Sequence, residues 1–186
     1  MVAPAAAPAA FGDRPLAAGW ALDPATSAAA QLALDRPHTP GASAAAFGFQ
    51  AHLFPVRGPH REGATVANVF GSGHKGQDIF ADCGTPILAA QGGTVRFSGY
   101  EGAAGNYVVV HQAGDAQDAV YMHLRHASPL ADGDRVDTGG RIGEVGRTGD
   151  ADGCHLHFEL WTAPGWYRGG HPHDPLPALE AWDGWS

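Results

Sequence analysis

Basic side chains are scarce. The 186-residue chain has one lysine, Lys75, and 11 basic residues in all against 19 acidic ones, for a net charge of −8 with histidine neutral. That balance supplies no basic face for a nucleic acid and no long-range pull toward anionic polymers. No run of about 18 apolar residues occurs, so no membrane-spanning helix is expected. The opening stretch, MVAPAAAPAAFGDRP, lacks the basic start and leucine-rich middle of a secretory signal. A mature form, or export by another route, is the expectation. Cysteine is limited to Cys83 and Cys154, enough for one disulfide but not enough to decide the compartment. A His-Glu-x-x-His helix, one common source of zinc ligands, is also missing.

Histidine, glycine and proline are abundant. Eleven histidines equal the lysines and arginines together, which points to metal or proton chemistry. The 27 glycines and 14 prolines work against a helical bundle and favour short strands between many turns. Residues 1–50 are rich in Ala and Pro and read as an arm or linker. One short helix is expected there, with Asp23 as N-cap and Pro24 in its first turn. From residue 51 the texture changes to short apolar runs separated by GYEGAAGN, QAGDAQD and RTGDADG. Strands are expected at Ile87–Ala90, Gly93–Ser98, Tyr107–His111, Ala119–Leu124, Arg141–Val145 and His155–Trp161. This is an all-β, mainly antiparallel domain over residues 51–162, with 163–186 packed on it as a C-terminal extension.

Three stretches carry chemistry. In GCHLHFEL, His155 and His157 are two residues apart, so on a strand they share a face, about 7 Å apart at Cα. Alone, the pair reads either as half-buried core imidazoles or as a metal or catalytic pair. In GHKGQDIF, His74 and Asp78 are four apart, but Gly73 and Gly76 favour a loop running into a strand over a helix. In VYMHL, strand alternation puts Tyr121 and His123 on one face and Val120, Met122 and Leu124 on the other. Catalytic zinc sites take three nitrogen or oxygen ligands and leave a fourth position open. Two histidines and an aspartate meet that need, with two histidines left over for acid and base work. Spacing does not say which histidine does which.

Taken in order, HKGQD, YMHL and HLHFEL resemble the motif set of the lysostaphin/LytM family of zinc metallo-endopeptidases. The connecting segments GTPILAAQGGTVRFSGYEGAAGNYVVVH and LADGDRVDTGGRIGEVGRTGDADG resemble that family as well, so the likeness runs over roughly residues 54 to 161. It implies zinc held by His74, Asp78 and His157, with His123 and His155 as the catalytic pair. The implied fold has a groove over an antiparallel sheet. The implied substrate is the peptide part of bacterial cell-wall peptidoglycan, cut through a zinc-activated water with histidine acid and base help. A secreted or cell-envelope location and a monomer go with that reading. The alternative is a non-catalytic wall-binding or amidase-activating module of the same fold, which loss of zinc ligands would favour; all five positions are kept. A carrier domain of the biotinyl/lipoyl kind is disfavoured, because Lys75 precedes both segments that suggest it.

There are departures from the family pattern. The stretch before His74, ANVFGSG, has no tyrosine, so an oxyanion donor of some relatives is missing. Residues 1–50 hold no asparagine, so latency through a zinc-binding asparagine is not expected. Met122 replaces a commoner small residue and is expected to face away from His123. Cys83 and Cys154 neighbour the first and last motifs. They read as a disulfide tying the two together, as two buried thiols, or as a metal pair. His171-Pro172-His173 is expected to be a solvated loop, because proline argues against a strand. His38, His52, His60 and His126 are expected at the surface.

Overall fold

The computed structural model describes residues 51–63, 68–114 and 116–183. The expected arm over residues 1–50, with its helix from Asp23 and with His38, lies outside them. Ten strands and one helix follow in chain order among the described residues: β1 (His60–Glu62), β2 (Gln77–Ala81), β3 (Pro86–Leu88), β4 (Gly93–Glu101), β5 (Gly105–Gln112), β6 (Asp118–Leu124), β7 (Arg135–Val136), β8 (Arg141–Glu144), β9 (His155–Trp161), β10 (Pro172–His173) and α1 (Leu176–Asp183). The main sheet has eight strands in the order β1-β2-β9-β6-β5-β4-β7, with β10 on β9, and β3 pairs with β8 in a separate ribbon. Every named pairing is antiparallel. The all-β expectation holds.

Alternation along the strands divides the main sheet into two faces. Ile79, Val108, Val110, Ala119, Tyr121, Leu156 and Phe158 point one way, into a core completed by Ile87 and Ile142 of the small ribbon, Phe54, Val56 and Leu179 of α1. Burial of each large aliphatic side chain stabilises the fold by about 1.5–3 kcal/mol. The other face carries a second apolar cluster of Val109, Val120 and Trp161, packed against Phe97, Tyr107, Met122 and Trp166. The strands that carry chemistry, β2, β9 and β6, lie side by side within the sheet.

The C-terminal segment is tied across the sheet by charge. Buried Asp118 accepts hydrogen bonds from Arg96 Nη1 at 2.8 Å and from the Trp166 backbone N–H at 2.8 Å. Its other oxygen is 2.9 Å from His111 Nδ1. α1 begins with Asp174 Oδ1 accepting from the Leu176 N–H at 3.0 Å, followed by Pro175, a capping pattern suited to a helix start.

Two expectations need correction. The segment with Pro172 is a short strand: Pro172 pairs with Trp161 and His173 with Leu160. It takes over the edge of β9 beyond the reach of β2, and proline is tolerated on an edge because one side of the strand makes no ladder bonds. His52 and His60 are half-buried rather than free at the surface. His52 stacks on Trp182 with ring centroids 5.1 Å apart, and His60 stacks on Phe54 at 4.1 Å.

Candidate metal centre

The site is built where β2 and β9 pair. Asp78 and His157 are direct cross-strand partners, so their side chains leave the sheet side by side. His157 Nδ1 lies 3.0 Å from Asp78 Oδ1. His74 reaches the same oxygen from the loop before β2, with Nε2 at 3.3 Å. That loop is closed by paired backbone hydrogen bonds between Gly71 and His74. His74 Nδ1–H donates to the Val69 carbonyl at 3.1 Å, which leaves the Nε2 lone pair facing Asp78. Gly76 lets this loop press on β9: a Cβ there would run into the Phe158 carbonyl and stand 2.9 Å from His157 Nε2. One ligand atom from each of His74, Asp78 and His157 lies within 4.8 Å of the others. Two imidazoles and a carboxylate so placed form the donor set a catalytic zinc ion takes, so the residues present fit the metal.

His155 and His123 face the same cleft. Their ring centroids are 4.7 Å apart, and His123 is 6.0 Å from the His157 ring. His155 Nδ1–H donates to the Gly153 carbonyl at 3.0 Å, and its Nε2 lies 3.6 Å from Asp78 Oδ1. His123 Nδ1–H donates to the Thr148 carbonyl at 2.8 Å. Both rings therefore turn Nε2 toward the cleft, an open volume of about 820 Å³. The cleft is also lined by Asn68, Met122, Asp150, Asp152, Trp166 and Tyr167.

The five histidine and aspartate positions read from the sequence thus come together. The path of β6 is different from the expected one. Tyr121 is a core residue packed on Phe158, with its hydroxyl accepting from the Ala90 N–H at 2.9 Å. Met122 lines the cleft together with His123, so it does not face away from it. The reason is a left-handed backbone at His123, with φ of 62°, which breaks the alternation and turns the imidazole to the face it would otherwise leave. Such strain in a non-glycine residue is found where function holds it in place.

Charge in the site is divided. Burial would push the Asp78 carboxyl up, but the His157 hydrogen bond and the neighbouring imidazoles outweigh it and hold the pKa below the ordinary value. Burial would lower His157, but its hydrogen bonds to Asp78 and Glu159 prevail and lift it to about 9. His123 goes the other way: burial drives it down to about 4, with the Thr148 carbonyl opposing. In the metal-free protein at neutral pH, His157 holds a proton that a metal ion must displace, while His123 is neutral.

Sequence reading passed over four contributors. Glu159 is buried, 3.1 Å from His157 Nε2 through Oε1, and accepts from Trp161 Nε1–H at 2.6 Å through Oε2. It was legible, because alternation along β9 puts positions 155, 157, 159 and 161 on one face. Asn68 Nδ2 donates to Asp78 Oδ2 at 3.1 Å. The carbonyl of Thr148 and the ring of Tyr167 arrive from loops, and no periodicity announces them. Of the three readings left open for Cys83 and Cys154, the disulfide is the one that forms, with Cα atoms 5.3 Å apart. His171 and His173 do not line the cleft.

Comparison with known proteins adds four findings. The pattern that describes Peptidase family M23 matches residues 72–175. The chain is 41% identical over 87 residues to the peptidoglycan DD-endopeptidase ShyC of Vibrio cholerae, a match covering 47% of this chain and 20% of that protein. The chain thus spans about a fifth of the length of this curated relative. Among solved structures, the catalytic domain of the antimicrobial peptidase lysostaphin from Staphylococcus simulans superposes with a TM-score of 0.56 at 28% identity, covering 65% of this chain and 92% of that one. A zinc-containing peptidase from Vibrio cholerae gives 0.55 at 26% identity, covering 67% of this chain and 39% of that one.

Proposed function

The chain belongs to peptidase family M23, and from that premise we propose that it is a zinc-dependent endopeptidase that hydrolyses peptide bonds in bacterial cell-wall peptidoglycan. One observation carries the reading: His74 Nε2 and His157 Nδ1 converge on Asp78 Oδ1 at 3.3 and 3.0 Å, beside two further imidazoles that face the same cleft. His74, Asp78 and His157 are the zinc ligands, and His123 and His155 are the catalytic pair. Zinc bound there would supply Lewis-acid chemistry, polarising the scissile carbonyl and lowering the pKa of water toward roughly 7.

The chain's own residues do the rest. His123 enters the reaction neutral, because burial holds its pKa at about 4. With Nδ1–H committed to the Thr148 carbonyl, its Nε2 is an open base toward the cleft. An imidazole of such low pKa gives up an acquired proton readily, which suits delivery to the departing amine. His155, held by the Gly153 carbonyl, turns a second Nε2 into the same cleft, with its ring 4.7 Å from that of His123. Asn68 holds the outer oxygen of Asp78 and keeps Oδ1 turned to the two ligand imidazoles.

The disulfide suits an oxidising compartment and so supports a secreted or envelope location. Among the described residues no helix is long and apolar enough to cross a membrane. The test is digestion of purified peptidoglycans of different cross-bridge type, with mass spectrometry of the products. Wild type, a chelated sample and His157→Ala are compared. New peptide termini are expected with wild type alone, and their masses assign the bond as one to D-alanine or one within a glycine bridge. Equal cleavage by all three samples would overturn the metal mechanism.

A further inference from the structure

We propose that Glu159 is a positioning residue that fixes which nitrogen of His157 is presented to the metal. The inference rests on the assignment of His157 as a ligand and goes beyond it.

The four imidazoles of the site are not held alike. His74, His123 and His155 each donate Nδ1–H to a backbone carbonyl, of Val69, Thr148 and Gly153, and each turns Nε2 inward. His157 is reversed: Nδ1 points inward at Asp78 Oδ1 at 3.0 Å, and Nε2 points away, to Glu159 Oε1 at 3.1 Å. A ligand imidazole is neutral and carries one proton, on one nitrogen. Two carboxylates compete for that proton. On Nδ1 it would bond to Asp78 and cover the lone pair that a metal needs. On Nε2 it bonds to Glu159 and the inward lone pair is free. In the absence of Glu159, Asp78 is the stronger acceptor within reach, and the ring would be held in the form that cannot bind.

Glu159 is itself pinned. Trp161 Nε1–H occupies Oε2 at 2.6 Å, so the remaining oxygen is aimed at His157. Residues 157, 159 and 161 are alternate positions on β9 and share one face, so the chain of contacts is carried by a paired strand and not by a loop. The ammonium of Lys75 lies over the Trp161 ring at 5.7 Å, which places positive charge near the buried carboxylate. A carboxylate behind a ligand histidine also raises its basicity, and loss of such a partner typically costs 10- to 100-fold in metal affinity.

The experiment measures zinc affinity by competition with a chromophoric chelator, for the full chain and for Glu159→Ala, Glu159→Gln, Trp161→Phe and His157→Ala. The His157 ring nitrogens are followed by 15N NMR in the zinc-loaded proteins. Glu159→Ala is expected to weaken zinc by about 10- to 100-fold. The Nε2–H signal should exchange slowly in wild type and quickly in that variant. Glu159→Gln has one acceptor oxygen for two donors and should fall between them. Trp161→Phe leaves the carboxylate in place but unpinned and should give a smaller loss. If Glu159→Ala fails to fold, the near-isosteric Glu159→Gln and Trp161→Phe carry the test through affinity and proton exchange. Zinc affinity and Nε2–H exchange unchanged in the Glu159 variants, with binding lost in His157→Ala, would overturn the role of Glu159 and leave the ligand assignment standing. Unchanged affinity in His157→Ala would overturn both.

Discussion

Removal of the Cys83–Cys154 bridge gives the most quantitative test of how the site is held. The two cysteines are 71 residues apart in sequence, and the loop they close contains β3 to β8. For a loop of that length, the entropy withdrawn from the unfolded chain corresponds to about 4 kcal/mol. In a domain of this size each kcal/mol moves the midpoint by roughly 3 °C, so the double variant Cys83→Ala/Cys154→Ala should melt roughly 10 °C or more below wild type. The comparison belongs to metal-free protein, because bound zinc adds its own stabilisation by mass action. Calorimetry is the assay. The β2–β9 ladder that joins Asp78 to His157 does not run through the bridge, so zinc binding at low temperature should survive. A fall of only a degree or two would refute the argument from loop closure. Loss of zinc binding in a variant that is still folded would refute the claim that the ladder, not the bridge, sets the ligands.

Other outcomes are expected from the same geometry. Asp78→Asn and His74→Ala should each purify without stoichiometric zinc, as read by metal analysis, while keeping the cooperative melt of the sheet. His123→Ala should keep its zinc yet lose about 100- to 10,000-fold in cleavage rate, because it removes a proton carrier and no ligand. Metal-free protein should be most stable near pH 6.5. Stability from His157, whose folded pKa is about 9, is fully present below the ordinary value of 6.5 and is lost as pH rises through about 9. His123, lowered to about 4, removes stability as pH falls from 6.5 toward that value. A melting temperature that is flat from pH 5 to 9 would contradict both shifts. Gly149 has φ of 76°, and a Cβ there would meet the Ala103 carbonyl. Gly149→Ala should therefore destabilise by about 1–3 kcal/mol and slow cleavage, because it shifts the Thr148 carbonyl that holds His123.

Much of this site was legible because β9 obeys simple alternation. Period two placed His155 and His157 together, and the same rule, carried two residues further, would have added Glu159. The rule failed on β6, where one residue with positive φ moves His123 to the cleft while Tyr121 stays in the core. Backbone handedness at a single non-glycine position leaves no trace in composition or periodicity. Pro172 misled for a different reason: its exclusion from strands applies to interior positions, and edge status is a property of the assembled sheet. The meeting of residue 74 with residue 157 rests on pairing between distant segments, which only the resemblance of ordered motifs could suggest. Boundaries at Gly93 and Arg141 were read correctly from turn signals. The short strands β1, β7 and β10 are too brief to show a pattern of their own.

The division of labour between strands and loops has an evolutionary side. Asp78, His155 and His157 are anchored in a hydrogen-bonded lattice that tolerates little revision. The rim beside them, from Asn68, Asp150, Asp152, Trp166 and Tyr167, is carried by connecting segments. Asn68 holds Asp78 and must stay, but the outer positions Asp150, Asp152, Trp166 and Tyr167 could be exchanged between homologues with the reactive centre left in place. Diversification of substrate preference would then proceed at the periphery, and chimeras that swap only those outer positions should inherit the donor's preference while keeping the recipient's chemistry.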